Sequence, residues 1–260
     1  MRPLRDKDLL LILLFYPLSI QASCIDNDDP AYNLAVSQGN YAKAFDLLAQ
    51  ELHLRRDEAS HFKIVQGFSA SHDDRHGEAD PDTLELSLDP GLFMEGKEGA
   101  CQGVAHELTH LRQFQRDRRF LHNTFSKQPV PEKGWNGCDR DHLDKPDAAK
   151  AEDDAYECLE DNDVAPHAAA EDIEAVLAQI PYAAQHLLRN DDVSYLAENV
   201  KNWADHEAMI TDHSNESYYL PEIKSEDIRI FCRGFKETRA LLVNTGPALG
   251  AWQFFCRGRH

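Results

Sequence analysis

Between residues 101 and 111 two patterns share one helical period. Cys101, Val104, Leu108 and Leu111 recur every three or four residues, an apolar stripe that belongs in a core. His106 and His110 stand four apart on the other side, one helical turn from each other, so both imidazoles reach one ion. Glu107 projects about 100° round from His106, near enough to address a water on that ion without ligating it. A chain with this helix must bury one side of it and leave the other lining a site.

Elsewhere the pattern is mostly helical. Asp29 to Glu51 carries Tyr32, Ala35, Tyr41, Ala44, Phe45 and Leu48 at helical spacing, interrupted by Gly39-Asn40, which predicts a helical hairpin. His61–Phe68 and Leu84–Leu88 alternate as strands do, and the acidic stretch 71–82 between them reads as a solvated loop. Residues 122–146 read as a long connection, helical patterns return at 147–161, 168–189 and 192–210, and 222–260 shows no clear period. The expected fold class is α+β, helix-dominated, in a single domain over residues 23–260.

The stretch from Val104 to Leu111 resembles the zinc helix of the zincin metallopeptidases. That resemblance implies a small β-sheet beside an active-site helix, Zn2+ as cofactor, His106 and His110 as ligands and Glu107 as general base. It extends over about residues 60–160, leaving a helical part from about 161 to 260, and Leu84–Leu88 resembles the edge strand that precedes the zinc helix. Metzincins would continue with Gly and His where this chain has Gln113 and Arg116. Gluzincins take a third ligand from a Glu on a second helix, and Glu152-Asp153-Asp154-Ala155 offers Glu152. Ala151, Glu152, Ala155, Tyr156, Cys158 and Leu159 share one face, so Glu152 is centred on an apolar surface, where a carboxylate needs a partner such as a metal. Asp153 with Tyr156 echoes the aspzincins, but Asp153 points to the polar side. For the oxyanion donor, Tyr218, Tyr219, His186 and His167 are candidates; behind the histidines carboxylates or carbonyls are expected, with Asp153, Asp154 and Glu157 nearby.

Arg2, Arg5 and Lys7 precede an apolar run from Leu9 to Ile20 and a small residue at Ala22, which predicts a signal peptide over residues 1–22 and a secreted or periplasmic protein. Cys24 admits a lipoprotein reading, against which Gln21 counts. The chain has 27 basic and 46 acidic residues, a net charge of −19. That balance excludes nucleic acid, and an anionic membrane after cleavage, as partners. Six cysteines in an exported chain favour disulfides, with Cys138–Cys158 and Cys232–Cys256 the pairs nearest in sequence. The expected function is hydrolysis of a protein or peptide substrate through a zinc-bound water. The alternative is an exported binding or envelope protein with a structural metal site.

Overall fold

Asp29 starts the first helix. Its carboxylate accepts from the backbone N–H of Ala31 and Tyr32, and Pro30 fills a first-turn position that needs no donor, so α1 runs Pro30–Ser37. Gly39, at φ +66°, turns the chain, and Asn40 caps α2 (Tyr41–Glu51), completing the expected hairpin. A short α3 (Arg56–Ala59) follows. The computed structural model describes residues 24, 28–67, 76–125, 152, 153, 155, 156, 159, 165–183, 190–213, 221–242 and 246–257.

Three short strands form the sheet: β1 (Phe62–Ile64), β2 (Gly77–Ala79) and β3 (Leu86–Leu88), in the order β1-β3-β2. β3 pairs parallel to β1 and antiparallel to β2. Two expectations are corrected here. Part of the acidic stretch 71–82 is strand, because the Asp80 carboxylate accepts from the N–H of Asp82 and Thr83 and folds β2 back onto β3. And Leu84–Leu88 supplies the central strand, so β1 and β2 are the edges.

Next come α4 (Pro90–Met94) and the 29-residue α5 (Lys97–Phe125), which carries the two histidines. The stripe read from the sequence is its core side: Cys101, Val104, Leu108 and Leu111 are buried. Cys101 and Val104 pack with the α1–α2 hairpin and Phe93, while Leu108 and Leu111 pack under Leu86 of β3. Lys97, buried at the start of α5, holds Asp29 at 2.8 Å and also Glu51, fastening the hairpin to the site helix.

Further along, the described residues include α6 (Ala165–Gln179, continued by a 3-10 turn at Ile180–Tyr182), α7 (Asn190–His213), α8 (Pro221–Leu242) and α9 (Gly246–Phe255). They share a core containing Ile173, Val200, Trp203, Phe231 and Phe235. Gly234 permits the close approach, since a Cβ there would sit 2.6 Å from Ile173 Cγ2 and 2.9 Å from Val200 Cγ2. The segment without an evident period is therefore also helical. Its inward positions Asp227, Gly234 and Thr238 are not large apolar residues, so the 3.6-residue stripe is broken on paper although the face is buried.

Helices thus dominate an α+β fold with a small sheet. Cys232–Cys256 is a disulfide, as its proximity suggested, and ties α8 to the end of α9. A second disulfide, Cys24–Cys101, spans 77 residues and occupies the Cys24 sulfur that a lipid thioether would need. Cys138, Cys158 and the segment 1–22 lie outside the described residues. Among those described, no helix is long and apolar enough to cross a membrane.

Candidate functional site

His106, Glu107 and His110 sit mid-way along α5, on the floor of a cleft of about 780 Å³. β2 forms one wall with Gly77 and Ala79; α6 forms the other with Ala168, Asp172 and Gln179, and Tyr195 of α7 closes an end. The four-residue spacing does what helical geometry dictates. His106 Nε2 and His110 Nε2 point at one another 3.1 Å apart. Two nitrogens on one tetrahedral zinc, each at about 2.05 Å, would lie about 3.3 Å apart, so the pair is set for a shared ion. Burial and the neighbouring His110 push His106 down to about 3. Burial likewise holds His110 below the ordinary histidine range, against the opposing charge of Asp172. Both rings are therefore neutral near pH 7, the form that ligates metals.

Glu107 is almost wholly buried and packs against the β2 backbone. A Cβ at Gly77 would stand 2.7 Å from Glu107 Oε1 and 2.9 Å from its Cγ. Only glycine at 77 leaves the carboxylate where it is.

Behind the histidines stand amides. His110 Nδ1 lies 2.9 Å from Gln113 Oε1, and His106 Nδ1 lies 2.9 Å from Gln179 Nε2. Of the carboxylates or carbonyls expected there, the Gln113 amide supplies a carbonyl oxygen; Asp153 is exposed, and Asp154 and Glu157 fall outside the described residues. Gln113 donates in turn to the Glu171 carbonyl (3.0 Å) and to Glu174 Oε2 (3.2 Å), and Arg116 grips Glu174 at 3.0 Å.

Glu152 does not join this constellation. Its Oε2 is 3.2 Å from His122 Nδ1, and His122 is twelve residues beyond His110, about 18 Å along the helix. Ala155, Tyr156 and Leu159 do face inward, packing with Phe114, Leu121 and Ile223, but Glu152 lies at the shallow edge of that face. The reading of Glu152 as third ligand is corrected accordingly. The carboxylate that interacts with His110 across the cleft is Asp172 of α6, raised above the usual carboxylate range by burial and hydrogen-bonded to Tyr195. A signal for it existed: Ala168, Asp172, Ala175 and Gln179 fall on one face of an Ala-rich helix, the same argument that singled out Glu152.

His167 is corrected too. Far from being an oxyanion donor, it is inaccessible, with Nε2 2.8 Å from Asp117 Oδ2 and Nδ1 3.0 Å from Asp227 Oδ1. Tyr218, Tyr219 and His186 lie outside the described residues.

No known family model, curated protein or solved structure matches this chain. What the site can do therefore rests on its own geometry. Two convergent neutral imidazoles, beside a buried carboxylate and a strand edge, offer nitrogen donors of the kind a divalent ion of borderline softness takes.

Proposed function

We propose that this chain is an exported zinc metallopeptidase of zincin type. The observation that carries the reading is the convergence of His106 Nε2 and His110 Nε2 beside Glu107 in an open cleft. His106 and His110 would hold the ion; among the described residues no carboxylate lies close to both as they stand, and Asp172, across the cleft, is the one whose charge acts on His110. Bound zinc supplies Lewis acidity for a peptide carbonyl and an acidic water near neutral pH. Glu107 accepts the proton of the attacking water and delivers it to the departing amine nitrogen. Tyr195 lines the cleft with its hydroxyl donating to Asp172, and would serve as a donor to the developing oxyanion on releasing that carboxylate. β2, paired to the sheet through β3 alone among the described residues, offers an edge on which an extended peptide can lie.

An open cleft favours catalysis over a structural metal, because structural zinc sites are closed on all four sides. The two disulfides accord with export into an oxidising compartment. The test is zinc content and casein-type hydrolysis of the wild type and Glu107→Ala. The variant is expected to retain metal and lose about 10²–10⁴-fold in activity. Full metal occupancy with unchanged hydrolysis would overturn the mechanism.

A further inference from the structure

We infer that Gln113 and Gln179 are the positioning residues of the histidine pair, Gln113 fixing one tautomer and Gln179 leaving the other adjustable. The inference rests on the metallopeptidase reading above and concerns how the site gains and loses its ion.

An imidazole offers Nε2 to a metal only when its proton sits on Nδ1. At His110 that choice is forced. The Gln113 amide nitrogen is already committed to two acceptors, the Glu171 carbonyl and Glu174 Oε2, the latter held by Arg116. Only Oε1 is left for the ring, and an amide oxygen cannot donate. So His110 Nδ1 donates to it across 2.9 Å, and His110 Nε2 is a bare lone pair.

His106 is arranged differently. Gln179 presents its amide nitrogen to Nδ1 at 2.9 Å, which makes Nδ1 the acceptor and puts the ring proton on Nε2. That proton lies between the two Nε2 atoms, 3.1 Å apart, and closes the pair on itself. Turning the Gln179 amide over presents Oε1 instead, moves the ring proton to Nδ1 and frees both Nε2 atoms for one ion. An amide serves both states because it carries a donor and an acceptor; a carboxylate would serve only the second. Gln179 therefore stabilises the metal-free pair and moderates metal affinity.

The test uses the full chain, stripped with chelator and titrated with Zn2+ against a chromophoric competitor, with 15N-histidine NMR on the metal-free form. Gln179→Glu is expected to bind zinc about 10-fold more tightly and to show the His106 proton on Nδ1, where the wild type shows it on Nε2. Gln179→Leu, which removes the amide from the free and the bound state alike, is expected to bind zinc less tightly than Gln179→Glu and to leave the His106 proton with no preferred nitrogen. Gln113→Glu should weaken binding rather than tighten it, because the carboxylate has no N–H for Glu171 and Glu174. Unchanged affinity and an unchanged His106 tautomer in Gln179→Glu would overturn the inference. A wild type that takes up no zinc would overturn the proposed function instead, and the metal-free tautomers would still decide this point.

Discussion

His167 and the His106–His110 pair both lie where α5 meets α6, yet the first is charged and the second is neutral. Around His167 burial alone would depress the pKa, but Asp227, Asp117 and Glu171 outweigh it and hold the ring well above the ordinary histidine range. Around His106 burial meets no such charge, and the ring falls to about 3. The first is an imidazolium clamped by carboxylates from α5 and α8, joining three helices. The second pair is neutral, backed by amides, with one edge open to a cleft. Partners decide which buried histidine is a charged bolt and which stays neutral.

The largest expected effect is on the bolt. Asp117→Ala leaves the His167 and Arg116 charges short of a buried carboxylate, and urea unfolding should show a loss of about 3–5 kcal/mol. Equal stability of variant and wild type would mean that the clamp is not ionised. On the other side of the comparison, Gly77→Ala pushes a methyl into the Glu107 carboxylate. Hydrolysis should drop by about 10²-fold while the urea midpoint changes little, because the displaced group serves chemistry and not packing. A collapse of stability instead would place Glu107 among the structural residues.

The smallest effect separates the two histidines by pH. With metal removed, His106 refuses a proton that the unfolded chain accepts below about 6.5, so stability falls on acidification from about 6.5 towards 3. The slope from this group is at most about 1.4 kcal/mol per pH unit, and His106→Ala should flatten it. His167 has the opposite sign: its contribution is complete below about 6.5 and is lost as pH rises through its elevated folded value. His167→Gln should remove that alkaline dependence while leaving the acid limb intact.

What could be read from the sequence follows the same division between local and distant. The helix at 101–111 was legible because its core stripe and its histidine pair are set by spacing on one element. Cys232–Cys256 was legible for the same reason, its partners being 24 residues apart, whereas Cys24–Cys101 required the fold. Asp172 was not found, since a carboxylate on an Ala-rich helical face appears at both 152 and 172, and only tertiary packing shows which helix crosses the site. In the sequence Gln113 is only a departure from one subgroup's pattern, because the groups that hold its amide, Glu171 and Glu174, lie on another helix, α6. The long helix α8 was hidden because its inward face spends positions on Asp227, the partner of His167, and on Gly234, the close-packing point.

The central claim is that His106 and His110 jointly hold one zinc ion. Zinc titration of chelator-stripped protein, with X-ray absorption at the zinc edge, tests it on the wild type and the His106→Ala/His110→Ala double variant. The account predicts one zinc per wild-type chain with imidazole nitrogens in its coordination shell, and no stoichiometric zinc in the double variant. Stoichiometric zinc retained by the double variant, or a wild-type spectrum without imidazole ligands, would contradict it.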